Sequence, residues 1–269
     1  MNGELWLLGS DIAHSPSPAM HNAALEHLGL HPCYGLHPCD ADSLHGVLDL
    51  AERSCRGINL TLPHKTRAAE RYAAQMDETA LRIGAINTVV FENKRAVRAL
   101  NTDVDGLLSA WRRGALHVEG RRVVVFGAGG AARAAVYALS LANAGGVSIR
   151  ARRREAAEEL RRLAAQEGLP ADCGEGPGGD MLIVASPVVP DIPQLLEEAL
   201  CGSGVVHDLR YGQKTHGLRN HALRHGHFYL DGRSMLLGQA VSALRAFLGK
   251  PVSREAEAAM ARALAQFVQ

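Results

Sequence analysis

The stretch that decides the fold is Val123-Val124-Val125-Phe126-Gly127-Ala128-Gly129-Gly130-Ala131-Ala132-Arg133. Its apolar start suits a strand buried on both faces, and the residues from Ala131 to about Asn143 predict a helix after it. Gly127 and Gly129 allow a sharp turn and the close approach of a diphosphate, while small Ala132 fills the third position of the dinucleotide fingerprint. The amide groups that begin the helix would face the negative charge of a dinucleotide, so the stretch predicts a cofactor site.

Composition and length limit the class of protein. A chain of 269 residues is long enough for two modest domains. Hydrophobic residues form 47% of it and charged residues 21%, which excludes a disordered or fibrous protein. A formal net charge of +1, with no stripe of Lys and Arg interleaved with aromatic residues, favours small-molecule partners over nucleic acid. No apolar run approaches the roughly 20 residues of a spanning helix, so we expect no membrane association and a cytoplasmic location.

The cysteines and histidines do not indicate a metal site. The chain has five cysteines, an odd number, and no C-x-x-C pair, so we expect buried free thiols. The 13 histidines include no H-E-x-x-H motif. We therefore predict that no metal is bound.

Further apolar runs extend the pattern that begins at Val123. They predict strands over residues 181–185, 205–209 and 228–230, with helices between them. This alternation is that of a doubly wound parallel sheet, which makes the chain an α/β protein.

The charges after the next strand predict which dinucleotide binds. A strand over Gly146–Ile149 runs into Arg150, Arg152 and Arg153, and no acid stands at its tip. NAD enzymes commonly carry an acid about 20 residues after the glycine turn, whereas NADP needs cations for its 2′-phosphate. We expect NADP rather than NAD; the alternative is that the arginines form a solvated helix entrance.

Two serines precede the first predicted helix. Ser15 and Ser17 stand among prolines, before an apolar pattern of helical spacing. Ser17, followed by Pro18, is typical of a helix N-cap. The functional alternative is that both hydroxyls donate to a carboxylate.

A lysine and a carboxylate follow predicted strands in the first half of the chain. Asn59 and Thr61 alternate with apolar residues, so we expect both to project from one face of a strand that Pro63 ends. Lys65 follows at a strand end, where α/β proteins place chemistry, although a surface charge is the alternative. Asp103 stands in an Asx-rich segment typical of a helix cap or turn. A lysine beside a carboxylate can shuttle a proton to an alcohol or carbonyl oxygen, which makes these two residues the candidate catalytic pair.

Taken in order, these motifs resemble the shikimate dehydrogenase family. The resemblance covers nearly the whole chain and rests on six segments whose order and spacing match: Ser15-x-Ser17-Pro18, Asn59-x-Thr61-x-Pro63-x-Lys65, Gly84-Ala85-x-Asn87-Thr88, Asn101-Thr102-Asp103-x-x-Gly106, Gly127-Ala128-Gly129-Gly130-Ala131 and Asp231-Gly232-Arg233-Ser234-Met235-Leu236-x-x-Gln239-Ala240. It implies two domains. Residues 1–104 plus 239–269 would form an α/β substrate-binding domain, and residues 105–238 a Rossmann-type NADP-binding domain.

The resemblance also implies a role for each candidate residue. Lys65 and Asp103 would be the catalytic pair. The substrate would be bound by two sets of side chains: Ser15, Ser17, Thr61 and Tyr211 at its carboxylate, and Asn59, Asn87 and Gln239 at its ring hydroxyls. The cofactor would be held by Gly127, Ala128, Gly129, Gly130, Ala131, Arg150, Arg152, Arg153, Ser186 and Met235.

The reaction that the resemblance implies is the reversible reduction of 3-dehydroshikimate to shikimate. The nicotinamide of NADP would supply the hydride, and Lys65 would stabilise the developing alkoxide. Two alternatives stay open: a dehydrogenase for quinate or another cyclohexane polyol, and a non-catalytic sensor that binds such a ligand on the same fold. Residues 184–190 and 211–215 depart from the family pattern, which leaves the substrate open. We expect a monomer or a homodimer.

Overall fold

The chain folds into two compact units. The computed structural model describes residues 3–174, 178–189 and 191–267. Met1–Gly106 and Leu237–Gln269 form one unit, here called the terminal unit, and Leu107–Leu236 form the central unit. In the part of the chain that is described, no helix has both the length and the apolar character needed to cross a membrane.

The terminal unit is built on a mixed sheet. Its strands are β1 (Glu4–Gly9), β2 (Tyr34–Pro38), β3 (Cys55–Leu60), β4 (Thr88–Glu92) and β5 (Arg95–Leu100), in the order β2-β1-β3-β4-β5. β1 is parallel to both β2 and β3, whereas β4 is antiparallel to β3 and β5. β3 and β5 therefore run in the same direction and end at the same edge of the sheet.

Helices accompany this sheet in the terminal unit, and two of them run on into the sequence of the central unit. They are α1 (Ser17–His27), α2 (Leu44–Ser54), α3 (Lys65–Arg71), α4 (Glu78–Ile83), α5 (Asp103–Arg113), α10 (Arg233–Leu248) and α11 (Arg254–Phe267). The boundaries between the two units fall inside α5 and α10. Ser253 caps α11, as its position after Pro251 suggests, because its hydroxyl accepts from the Ala256 amide at 3.2 Å. The apolar residues of β1 and β3 pack with α2 around buried Ile58 and Leu48.

The central unit is a doubly wound parallel sheet. Its strands are β6 (Arg122–Phe126), β7 (Gly146–Arg150), β8 (Ala171–Cys173), β9 (Gly179–Val184), β10 (Leu200–Asp208) and β11 (Phe228–Leu230), in the order β11-β10-β9-β6-β7-β8. The helices between them are α6 (Gly130–Leu141), α7 (Arg154–Gln166), α8 (Ile192–Ala199) and α9 (His216–Arg224). The strands pair in parallel, and their order is that of a dinucleotide-binding fold.

The glycine turn lies where the strand order reverses, between β6 and β9. Gly127 has φ = 125°, and a Cβ on it would lie 2.7 Å from the carbonyl oxygen of Ala185. Its amide donates to the Arg150 carbonyl at 2.8 Å, and the Ala185 amide donates to Phe126 at 2.8 Å. Only glycine fits here, because both the backbone conformation and the neighbouring strand exclude a side chain.

Three expectations from the sequence are wrong in detail. Ser17 is not an N-cap: α1 begins at Ser17 itself, after Pro16, with no side-chain cap. Pro63 does not end the third strand, because β3 already ends at Leu60. The next residue, Thr61, begins a turn in which its carbonyl accepts from the His64 amide at 2.9 Å. All five cysteines are free, but not all are buried; Cys173, at the end of edge strand β8, and Cys201, in an irregular part of β10, are exposed.

Candidate active site

Lys65 and Asp103 form an ion pair at one edge of the terminal sheet. Lys65 is the first residue of α3, which follows β3, and Asp103 is the first residue of α5, which follows β5. Because the two strands end at the same edge, residues 38 positions apart meet: Lys65 Nζ lies 2.5 Å from Asp103 Oδ2. The side chains are 15% and 6% exposed, so the pair is largely shielded from water.

Asn87 fixes the other oxygen of Asp103. Its Nδ2 donates to Asp103 Oδ1 at 2.9 Å. Its own Oδ1 accepts from the Thr102 amide at 2.8 Å, and from the hydroxyls of Thr102 and Thr88 at 3.1 and 3.0 Å. The β4–β5 hairpin creates this arrangement, because the Asn87 amide donates to the Leu100 carbonyl and brings the ends of the hairpin together. Asp103 is therefore held by different groups on its two oxygens.

Asn59 extends the same network into β3. Its Nδ2 donates to the Asn87 carbonyl at 3.1 Å and to Thr88 Oγ1 at 2.9 Å. Its Oδ1 accepts a proton from the Tyr34 hydroxyl at 2.8 Å. Asn59, Asn87 and Asp103 are all buried, and each is paired, as buried polar groups need to be.

The predicted carboxylate-binding serines lie at the other end of this network. Ser15 Oγ donates to Ser17 Oγ at 3.2 Å at the start of α1. Ser17 also interacts with the Tyr34 hydroxyl, which joins the serines to Asn59. Thr61 is half-buried and follows β3 directly, with its amide bonded to the Leu8 carbonyl.

The remaining two substrate candidates lie elsewhere in the chain. Gln239 is on the part of α10 that belongs to the terminal unit. Tyr211 follows β10 in the central unit, and burial raises the pKa of its hydroxyl. Their contact with a ligand stays a prediction.

Sequence reasoning missed three members of this network: Tyr34, Thr88 and Thr102. The two threonines had a signal, because the Asn-Thr pairs at 87–88 and 101–102 flank a predicted hairpin and should meet across it. Tyr34 had no such signal in the sequence. It lies on β2 opposite Leu5 of β1, whereas Asn59 lies on β3 opposite Leu7, so its ring has to reach across β1.

The start of α6 in the central unit fits an anionic ligand. Gly127, Ala128 and Gly129 form the loop after β6, while Gly130 and Ala131 begin the helix. A Cβ on Gly129 would meet no atom within 4 Å, so its backbone borders open space. No side chain caps the helix at Gly129, and uncapped amide groups at a helix start are suited to a phosphate. These residues fit the diphosphate of a dinucleotide.

The arginines after β7 divide into two kinds. Arg150 is 12% exposed, and its guanidinium donates to the Glu198 carbonyl at 2.8 Å and lies 3.5 Å from the Glu198 carboxylate. Arg152 and Arg153 are exposed between β7 and α7, and neither forms an ion pair with any residue that the structure describes. The second kind offers exposed cations after β7, where a dinucleotide-binding fold binds the ribose of its ligand.

The other two cofactor candidates are placed differently. Ser186 closes a turn after β9, because its hydroxyl donates to the Val188 carbonyl at 2.8 Å. Met235 is buried on α10. Pro190, the last residue of the segment that departs from the family pattern, lies outside the described residues. No cluster of three or more His, Cys, Asp or Glu suited to a metal ion occurs among the described residues.

The two chain ends together form one α/β unit, and a Rossmann-type unit is inserted between them. This arrangement defines a class of two-domain dinucleotide-binding proteins. Within that class, the chain belongs to the shikimate dehydrogenase family. The family model described as "shikimate dehydrogenase substrate binding domain" matches residues 7–89. Shikimate dehydrogenase (NADP(+)) of Methanothermobacter thermautotrophicus is 35% identical over 258 residues, which is 91% of this chain and 90% of that protein.

Solved structures agree with this assignment. Shikimate 5-dehydrogenase from Thermus thermophilus, in complex with NADP(H) and shikimate, is 32% identical with a TM-score of 0.85, covering 99% of this chain and 100% of that one. Ligand-free 5-ketofructose reductase of Gluconobacter sp. strain CHM43 is 27% identical with a TM-score of 0.79, covering 99% of each chain. The family and the two-domain α/β fold expected from the sequence are thus confirmed.

Proposed function

We propose that this protein is an oxidoreductase that uses NADP to interconvert 3-dehydroshikimate and shikimate. The observation that carries the proposal is the Lys65–Asp103 pair, held by Asn87, in the unit that contains the match to the substrate-binding domain. The relatives named for this activity cover nearly the whole chain at 32–35% identity. A sensor would not need a shielded lysine–carboxylate pair, so we favour an enzyme over a binding protein.

The chain's own groups account for the polar half of the reaction. NADPH, when bound, would supply the hydride for the carbonyl carbon, so that negative charge would develop on the carbonyl oxygen. Lys65 donates one hydrogen bond to Asp103 and keeps two N–H groups for that oxygen, which it stabilises and protonates. In the reverse direction, Lys65 with Asp103 takes the hydroxyl proton as the hydride leaves.

Serine and threonine hydroxyls supply the carboxylate site in this proposal. Ser15 and Thr61 lie on turns that follow β1 and β3, and Ser17 is the first residue of α1. Hydroxyl groups, whose protons can rotate toward a ligand, suit an anion without adding a charge that would compete with Lys65. Asn59, Asn87 and Gln239 would bind the ring hydroxyls, and Tyr211 would add a contact to the carboxylate.

The choice of NADP rests on charge. The glycine turn and the first turn of α6 would hold the diphosphate, and Arg152 with Arg153 would bind the 2′-phosphate. Arg150 would support this region through its contacts with Glu198. Ser186 and Met235 would border the nicotinamide.

A second candidate is a dehydrogenase for quinate or another polyol. The 27% identical 5-ketofructose reductase favours it, since that relative is named for a different substrate on the same fold. The departures at residues 184–190 and 211–215 also favour it. The monomer or homodimer state and the cytoplasmic location stay predictions.

One experiment tests the proposal. Cofactor reduction is followed at 340 nm with shikimate and with quinate, each with NADP and with NAD; we expect shikimate with NADP to give the highest kcat/KM. Lys65→Met should lower kcat by about 10²- to 10⁴-fold and leave shikimate binding measurable. Lys250→Met, at an exposed lysine of the same unit, is the control and should keep full activity. Higher kcat/KM with quinate would favour the second candidate, and no activity in any combination would favour a sensor.

A further inference from the structure

Residues of α1 contact both the backbone and the ring of Tyr34. Its backbone amide donates to Asn22 Oδ1 at 2.9 Å, and Asn22 Nδ2 donates to its carbonyl at 3.1 Å. Its ring stacks on that of His21, with centroids 4.2 Å apart and planes 3° from parallel. Both rings are buried. The position of the Tyr34 hydroxyl is therefore set by the fold rather than by a ligand.

The rings of Tyr34 and His21 are both uncharged near neutral pH. Burial raises the pKa of Tyr34 well above its usual range, and burial lowers the pKa of His21 to about 3. A neutral tyrosine has one proton to donate, and Tyr34 gives it to Asn59 Oδ1. It therefore faces Ser17 with oxygen lone pairs alone.

Protein groups occupy most of the hydrogen-bonding positions of the Asn59 side-chain amide. Its two amide hydrogens face two acceptors, the Asn87 carbonyl and Thr88 Oγ1. One lone pair of its Oδ1 accepts from Tyr34. A primary amide has two hydrogens and two oxygen lone pairs, so a single lone pair on Oδ1 is left for a ligand.

We propose that Tyr34 is a positioning residue that holds the Asn59 amide so that a ligand meets an acceptor there and no donor. This inference rests on the proposed function. The group that binds at Asn59 must then be a hydroxyl that donates its proton. A carbonyl, an ether oxygen or a fluorine at that place would face a lone pair and would not be bound.

The first test removes the hydroxyl alone. Tyr34→Phe keeps the ring stacked on His21 but takes one donor from Asn59 Oδ1. We expect KM for shikimate to rise about 3- to 10-fold, with kcat changed less than twofold and KM for NADP unchanged. The matched control is Tyr72→Phe, whose buried hydroxyl donates to Glu52 Oε1 at 2.9 Å in the same unit. It should lower stability and leave both KM values unchanged.

A double-mutant cycle then tests whether Tyr34 acts through Asn59. Shikimate affinity is measured by titration calorimetry for the wild type, Tyr34→Phe, Asn59→Ala and the double variant. We expect Tyr34→Phe to weaken binding only where Asn59 is present, because contacting residues are not additive. Equal weakening in both backgrounds would overturn the proposal.

A third measurement needs only the wild type and holds even if Tyr34→Phe does not fold. Shikimate analogues with each ring hydroxyl replaced by hydrogen or by fluorine are compared for binding. At one position, fluorine should bind no better than hydrogen, because it cannot donate to Asn59 Oδ1. Recovery of binding by fluorine at every position would refute the inference. If the wild type does not oxidise shikimate at all, the proposed function fails instead, so the two failures are distinguishable.

Discussion

His207 should make the central unit sensitive to acid. It lies fully buried on β10, where Trp111 Nε1 donates to its Nδ1 at 3.2 Å. Burial lowers the pKa of its ring from the ordinary 6.5 to about 3. Its Nε2 has no hydrogen-bond partner among the described residues, so nothing nearby would stabilise an imidazolium. A second proton would also have to displace the indole N–H from Nδ1.

The sign and size of the effect follow from proton linkage. Since the pKa is lower in the folded state, the unfolded chain takes up the proton first as the pH falls below 6.5. Stability from His207 is therefore complete above pH 6.5 and is lost progressively between that value and about pH 3. The loss is on the order of 1 kcal/mol at pH 5.5 and on the order of 3 kcal/mol at pH 4.5.

Replacement of His207 by Gln isolates this contribution. Glutamine can still accept from Trp111 but does not titrate. Urea unfolding is followed by tryptophan fluorescence in a Trp6→Phe background, which leaves Trp111 as the single tryptophan of the chain's two. Between pH 7 and pH 4.5, the protein with His207 should lose about 2 to 3 kcal/mol more than the variant. His117→Gln, at an exposed histidine of the same unit, should not change the pH dependence. Parallel losses with and without His207 would refute the reasoning.

Further predictions concern the glycine turn and the exposed arginines of the central unit. Gly127→Ala should destabilise the protein by about 2 kcal/mol or more, because its Cβ would meet the Ala185 carbonyl at a positive φ. Gly129→Ala should leave stability unchanged but raise KM for NADP about 10-fold, since its Cβ would occupy the open space there. Equal loss of stability in the two variants, measured by urea unfolding, would contradict this distinction. Replacing Arg152 and Arg153 together by Ala should raise KM for NADP about 10- to 100-fold and leave KM for NAD unchanged; an equal rise for both cofactors would contradict the assignment.

The fold of the central unit could be predicted from the sequence because each signal was local. A buried strand, a glycine turn and a helix stand next to each other around Gly127, and the same alternation recurs to β11. Strand β8 was missed because Ala171–Cys173 is a three-residue edge strand without an apolar pattern. A serine before a proline is typical of an N-cap and predicts Ser17 just outside α1, whereas Pro16 precedes the helix and Ser17 is its first residue.

The candidate site could be predicted only in part. Lys65 and Asp103 were expected to pair because both follow strands, and strand ends that share an edge bring distant residues together. The contacts between side chains depend on register and reach. Tyr34 meets Asn59 because Leu5 and Leu7 of β1 set the two flanking strands in register and a tyrosine is long enough to span between them. Neither quantity can be read from one sequence.

The network around Asp103 also explains how a site of uncharged amides can select a ligand. Asn87 has one further N–H, because only one of its two amide hydrogens is bound to Asp103, and its oxygen is occupied by Thr102 and Thr88. Asn59 has one free lone pair, and Lys65 keeps two N–H groups. Donors and acceptors are thus fixed before a ligand arrives, so little reorganisation accompanies binding. A hydroxyl can satisfy either kind of partner, whereas a carbonyl satisfies donors alone. We therefore expect the terminal unit to select for the pattern of hydroxyls on the ring, and changes at Arg152 to leave KM for shikimate unaltered.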